Sequence, residues 1–458
     1  MVTNKNTIMT DNTLYGFNPS QDVINLQTKY TLFKRVANIV FSTTVDKGFD
    51  KNLMRQALDK LVERNDCLRI TFVRKDKKIM QYFAPERRLG NIKSVTFSRQ
   101  SEMTSFINKF RKRELNMFKG ETLKAVFATN PDGKDMVIFK ISHYVADTYA
   151  IGVLVSDLFQ IYDALKAGTA MPPLPGSFEE VLKKDLAYKD NAETVARDLA
   201  FFKDYYVTRH PEHPTYCGIH GNNSDRWLKY KDKGYFALPY LFVKCDTKGY
   251  KLTIPSAVTE KAEKWCQENN ITMSALFFYT CSIAASLINN REKHQAPLML
   301  LDCRGTVAER KAGGTKVQSL SVYTTVNYDK SFIENIQEAY ADQNQLFRHT
   351  RLTYLELENM QHKLWNYSIM SQVINFCYSF IPFTSPEGVS VQVHSNGKGA
   401  LVTYMALMLD TKTGQIDTVY DIQTEMVTPE QLMDFHNLYI RVTEAVLAQP
   451  DTKLSQLF

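Results

Sequence analysis

Long apolar runs are missing from this chain. No window holds 18 uninterrupted apolar residues, and the largely polar Met1 to Asn12 has no continuous apolar run. Neither a membrane-spanning helix nor a secretory signal is expected from that pattern. CxxC pairs are also missing. The seven cysteines are odd in number and scattered, at Cys67, Cys217, Cys245, Cys266, Cys281, Cys303 and Cys377. Such usage argues against a disulfide framework and suits buried thiols in a reducing cytoplasm. There is no low-complexity segment, strong internal repeat, nucleic-acid motif or basic-aromatic stripe. Nucleic acid is therefore not an expected partner.

What remains is ordinary globular composition over 458 residues, 44% hydrophobic and 23% charged. That length can bury two cores. The net charge of +7 is spread along the chain. A mild excess of this sign suits a polyanionic partner such as coenzyme A or an acidic carrier protein, and equally suits none in particular.

Strand and helix patterns alternate from Val36 onward. Val36 to Thr44 reads as a strand, and Asp50 opens a helix to Val62 with Leu53, Ala57, Leu58, Leu61 and Val62 on one face. Cys67–Val73 and Ile79–Phe83 read as a strand pair. Ser101 to Met117 reads as a helix. Asn130-Pro131-Asp132-Gly133 is a turn joining Leu123–Ala128 to Met136–Ile141. A helix follows from Thr148 to Leu165, and the cluster Met171 to Gly176 then breaks regular structure. Beyond it come a charged helix from Phe178 to about Tyr206 and a strand at Tyr250–Ile254. Helices follow at Ser256–Asn269 and Thr272–Asn289, the second apolar nearly all round. Pro297–Cys303 and Leu320–Val326 are strands, and Phe332–His349 and Leu355–Leu364 are helices. Val373–Ile381, Val389–Val393, Leu401–Leu409 and Gln415–Tyr420 are late strands, and Thr428-Pro429-Glu430-Gln431 starts the last helix. Residues 14–30 form a polar, aromatic-spotted lead-in. The pattern implies a mixed α/β fold in two halves, 14–170 and 177–458.

The stretch with the most chemistry is Phe139 to Thr148. An apolar run ends at His143, and Asp147 follows four residues later. A histidine at a strand end, at the mouth of a loop, is a common place for a general base. A second cluster, His210, His213, Cys217 and His220, spans eleven residues and could ligate zinc. Pro211 and Pro214 interleave it and no second cysteine pair closes a finger, so no metal is expected.

Leu61-Val62-Glu63-Arg64-Asn65-Asp66-Cys67-Leu68-Arg69-Ile70-Thr71-Phe72 resembles the L-v-x-R-H-x-x-L-R-t-x-F signature of condensation domains from nonribosomal peptide synthetases. Those domains belong to the chloramphenicol acetyltransferase-like superfamily, with standalone acyltransferases such as alcohol acetyltransferases. In that family a later strand delivers H-H-x-x-x-D-G. The matching segment here is Ser142-His143-Tyr144-Val145-Ala146-Asp147-Thr148. Asp302-Cys303-Arg304 resembles the strand end that carries the family's arginine. The three pieces keep the family's order, and the resemblance runs from about Lys34 to Leu447.

The resemblance implies a pseudo-dimer of two such halves with a tunnel between them. The first half carries the HxxxD loop, the second the Asp-Cys-Arg strand end and the late strands. It implies acyl transfer from a coenzyme A or carrier-protein phosphopantetheine thioester to a small alcohol or amine. The thioester is substrate, and no further cofactor is expected. His143 would be the base. Asp147 would turn away from substrate and pair with Arg304. The amide or hydroxyl of Thr148 would meet the oxyanion. Ser142, Tyr144 and Tyr149 flank the base and would line the tunnel, with ordinary packing the alternative for the two tyrosines. Tyr378 and Ser379 either line the tunnel or pack the second half's sheet. Ser142 and Thr148 stand where the family has histidine and glycine, and a threonine cannot take a glycine-only backbone conformation. The rival expectation is a non-catalytic, condensation-like module that docks a carrier protein or small ligand.

Overall fold

Strands and helices alternate along the computed structural model, which describes residues 13–210, 219, 245–365, 376–399 and 401–458. In chain order the strands are β1 (Asn38–Val45), β2 (Ile70–Lys75), β3 (Lys78–Phe83), β4 (Ser94–Thr96), β5 (Leu123–Thr129), β6 (Asp135–Ser142), β7 (Thr247–Thr253) and β8 (His294–Gln295). They continue with β9 (Leu298–Asp302), β10 (Val317–Ser321), β11 (Thr324–Thr325), β12 (Phe376–Phe383), β13 (Val389–His394), β14 (Thr403–Asp410) and β15 (Ile416–Gln423). The helices of the first part are α1 (Pro19–Tyr30), α2 (Lys51–Arg64), α3 (Gln100–Lys112), α4 (Thr148–Ala167), α5 (Phe178–Asp190) and α6 (Ala192–Asp204). After them come α7 (Ser256–Asn269), α8 (Met273–Ile288), α9 (Val307–Arg310), α10 (Phe332–Leu346), α11 (Tyr354–Trp365), α12 (Pro429–Ala448) and α13 (Leu454–Leu457).

Two sheets carry the two cores. A five-stranded sheet has the order β13-β1-β6-β5-β4, and a six-stranded one has β10-β9-β12-β14-β15-β7. Central β6 is buried on both faces. Phe139 and Ile141 join Leu58, Leu61, Leu154 and Leu158 beneath α2 and α4. Met136 and Ile138 face Met103 and Ile107 of α3. Burial on both faces explains why β6 reads as a continuous apolar run. Lys140 is the exception. Its ammonium donates to the carbonyls of Phe110 and Arg113, both at 2.7 Å, at the C-terminal end of α3. Burial pulls its pKa down to about 8. The second core is organised around α8, which is buried on nearly every side against β12, β14 and α12.

One strand crosses between the parts. β13 follows β12 of the six-stranded sheet yet pairs with β1 of the five-stranded one, Val40 opposite His394. Among the described residues no single helix is long and apolar enough to cross a membrane. The bent pair α7–α8 has the composition for one, but α8 is core. Among the described cysteines none is paired.

Several boundaries differ from expectation, each for a local reason. The lead-in contains α1, opened by Asn18 in a reciprocal capping box with Gln21 and by Pro19. The charged helix 178–206 breaks at Asn191, whose side chain caps α6 through the Thr194 amide. The helix begun at Ser101 ends at Lys112. Residues 66–69 are a 3-10 turn rather than strand. Leu320–Val326 is split between β10 and β11. Short β4 was not expected. Residues 373–375 lie outside the described residues.

Candidate functional site

The site is built where β6 ends. Ser142, the last residue of β6, pairs with Asn38 at the start of β1. His143 begins the turn, and its amide donates to the Ala37 carbonyl at 2.6 Å. Ser142 is buried and holds the turn in place. Its carbonyl accepts from the Val145 amide at 3.0 Å, and its hydroxyl accepts from the Tyr144 amide at 3.4 Å. α1 adds a further tie, since the buried Gln21 amide donates to the Tyr144 carbonyl at 3.0 Å.

Asp147 closes the turn. It is the N-cap of α4, accepting from the Ala150 amide at 2.8 Å. Its other oxygen accepts from the Lys316 amide at 2.8 Å and lies 3.0 Å from Arg304 Nη1. Arg304 Nη2 reaches Oδ1 at 3.2 Å and also donates to the Gly314 carbonyl at 2.7 Å. Asp302 accepts from Nη1 at 2.7 Å. The Arg304 side chain is 1% exposed. Burial works against its charge, but the Asp147 and Asp302 carboxylates outweigh burial and hold its pKa above the ordinary arginine value. This clamp joins the HxxxD turn to the strand end after β9. Ala146 is also bridged to Gly314. Gly314 has φ +88°, and a Cβ there would lie 2.0 Å from the Phe178 ring, so only glycine allows the approach.

His143 itself is half-buried. Nδ1 is buried and makes no hydrogen bond among the described residues. Burial lowers the imidazole pKa, against the opposing pull of its own carbonyl, the Asp147 charge and the Ala146 carbonyl. Thr148 is the first residue of α4 and does not take a positive φ. No glycine-only conformation is required there. Helix N-terminal amides have no partner inside their own helix. Among the described residues the Thr148 and Tyr149 amides have none outside it either. Cys303, beside the clamp, is pushed up to about 11 by burial, so it stays a thiol at neutral pH.

The flanking residues divide. Tyr149 is half-buried with the Arg304 guanidinium 4.8 Å above its ring. Tyr144 packs edge-on to Phe72 in the first core and its hydroxyl meets Thr28 at 2.7 Å. Tyr378 is fully buried in the second core, against Phe278, with its hydroxyl on the Ser274 carbonyl at 3.2 Å. Ser379 bonds the Tyr404 hydroxyl at 2.7 Å. Of the zinc-spaced residues, His210 is paired with Asp342 at 2.6 Å, and His213, Cys217 and His220 lie outside the described residues. Reading the sequence missed Gln21, Gly314 and the Lys316 amide. The capping box at Asn18 and the pair Gly313-Gly314 were the available signals.

The profile of the family described as Condensation domain matches residues 13–213. One of the plipastatin synthase polypeptides of Bacillus subtilis (strain 168) is 19% identical over 92% of this chain, which spans 16% of that protein's length. Tyrocidine synthase 3 of Brevibacillus parabrevis is 24% identical over 55% of the chain, which spans 4% of it. Among solved structures, the first condensation domain of the calcium-dependent antibiotic synthetase, in complex with a substrate analogue, superposes with TM-score 0.79 at 13% identity. That match covers 98% of this chain and 99% of the other. The starter condensation domain of rhizomide synthetase, in complex with C8-CoA, gives TM-score 0.77 at 17% identity, covering 97% of each. The chain resembles the condensation domains of nonribosomal peptide synthetases in the sequence of its first part and shares their chloramphenicol acetyltransferase-like fold over nearly its whole length.

Proposed function

We propose that this protein is an acyltransferase. It moves an acyl group from a coenzyme A or carrier-protein thioester to a hydroxyl or amine, with His143 as general base. The observation that carries the reading is that His143, whose buried Nδ1 has no hydrogen-bond partner among the described residues, shares one turn with the unpartnered Thr148 and Tyr149 amides. A thioester is already activated, so neither metal nor nucleophilic side chain is needed. The acceptor must lose its proton as it attacks, and a neutral imidazole can take it. Burial favours that neutral form. The carbonyl oxygen gains negative charge as the tetrahedral intermediate forms. The Thr148 and Tyr149 amides, at the positive end of α4, suit that charge. Collapse expels the thiolate, and the imidazolium returns the proton to sulfur. Asp147 does not touch substrate in this scheme. It fixes the turn through Arg304.

Relatives lend support within the words of their names. One structure of the same fold was solved with an acyl coenzyme A, and others belong to peptide synthetases. The test is turnover of acyl-CoAs and acyl-carrier thioesters with mixed alcohols and amines. His143→Ala is expected to lower the rate by about 10²- to 10⁴-fold. Unchanged turnover would refute the base, and no turnover by the unaltered protein would favour a non-catalytic binding module.

A further inference from the structure

Three segments converge on the sheet edge where β6 ends, and none of the proposed chemistry uses them. The first is the 3-10 turn Lys34–Ala37, which leads into β1 and whose Ala37 carbonyl holds the His143 amide. The second is the last turn of α3. The third is the loop Ser395–Lys398 after β13. The Asn396 amide reaches the carbonyls of Val36 and Asn38, at 3.5 and 3.4 Å, so the first and third segments touch.

Two half-buried arginines stand on the segments that touch this loop. Arg111 lies flat on the loop. Its Nη1 donates to the Ser395 carbonyl at 2.6 Å. A Cβ on Gly397 would be 2.8 Å from both Arg111 Cζ and Nη2, so the missing side chain makes the guanidinium's berth. Arg35 is close enough that its charge lowers the Arg111 pKa, second to burial, while Asp421 opposes. Arg35 Nε is buried without a hydrogen-bond partner. Among the described residues neither arginine makes an ion pair with a carboxylate. Asp421 is engaged by the hydroxyls of Ser395 and Thr247, at 2.9 and 3.2 Å. Burial pushes its carboxyl up to about 6. Arg35 is two residues from Ala37, no more than about 7 Å of chain.

Like charges on neighbouring segments, partly removed from water, repel one another. An anion between them lowers that cost further. A carboxylate is satisfied by one guanidinium fork, whereas phosphate has oxygens for two. We propose that Arg35 and Arg111 together hold the phosphate at the far end of the pantetheine arm of the thioester donor. This rests on the acyl-transfer reading. It places the donor's anionic end and the base at one sheet edge.

Calorimetry on the full chain tests it without turnover. Phosphopantetheine is expected to bind about tenfold or more tighter than pantetheine, the scale of one charge-assisted hydrogen bond. Arg35→Gln and Arg111→Gln should each remove most of that difference and leave pantetheine affinity unchanged. Arg111→Lys, which keeps the charge, should retain part of it and guards against a folding defect. Equal binding of the two ligands to the unaltered protein overturns the site. Coenzyme A and a phosphopantetheinylated carrier protein separate the sources. Weakening of both by the variants supports the shared phosphate. Weakening of coenzyme A alone moves the arginines to its nucleotide phosphates and overturns the assignment. A protein that transfers acyl groups without discriminating phosphate loses only this site. One that discriminates phosphate without transfer loses only the acyl-transfer reading.

Discussion

Arginines flank the end of β6 in two opposite states. Arg304 is sealed from water, ion-paired with both Asp147 and Asp302 and bonded to the Gly314 carbonyl. Arg35 and Arg111 are half-buried and, among the described residues, have no carboxylate ion pair. An arginine whose donors are consumed by protein acceptors can only hold shape. One whose donors are left over can hold something else. The largest effect expected from this contrast is on stability. Arg304→Ala would leave the Asp147 carboxylate buried with two amides and no counter-charge, costing about 3–5 kcal/mol. Denaturant unfolding measures it. A loss below about 1 kcal/mol would mean that the clamp is loose or hydrated, and the contrast would fail.

The next effect is on pH dependence. The active form of His143 is neutral, and burial has lowered its pKa. Protonation should therefore cut kcat/KM only below the ordinary histidine value of about 6.5. In that same window the unfolded chain binds the proton more readily, so stability also falls as pH falls. Asp147 favours the imidazolium, and Arg304 offsets Asp147. Asp147→Asn should move the acid limb to lower pH, and Arg304→Gln should move it up. Opposite signs from two residues of one pair are hard to obtain from a general loss of structure. A limb at or above about 6.5 in the unaltered protein would contradict a desolvated base.

Much of this was legible beforehand. The hairpin that delivers His143, the strand that ends at Asp302-Cys303-Arg304 and the helix from Thr148 follow from local signals: β-rich apolar runs, a Pro-Asp-Gly turn and an amphipathic pattern. The HxxxD turn and its tie to Arg304 came from the family resemblance. The partners of the turn were not legible. Gln21 lies 122 positions before His143 and Lys316 173 after it, and neither has a local pattern that names its target. The crossing of β13 to β1 was also hidden, since a strand's own residues do not state its neighbour. Thr148 went the other way. Its place in the family's glycine position raised a doubt about backbone strain that disappears because it is an ordinary first residue of a helix.

The unpaired arginines supply the smaller effects. Arg111→Gln loses one hydrogen bond to a carbonyl, but it also removes repulsion from Arg35, so stability should change by no more than about 1 kcal/mol. The same melts that register Arg304→Ala should barely register it. Salt then sharpens the contrast. Charges open to solvent are screened within about 10 Å at 0.1 M salt, and buried pairs much less. Raising ionic strength should erode the preference for phosphopantetheine over pantetheine while leaving the cost of Arg304→Ala nearly constant. If both respond to salt alike, Arg304 shares the solvent of the other two. Its role in fixing the turn would then rest on its hydrogen bond to Gly314 rather than on Asp147.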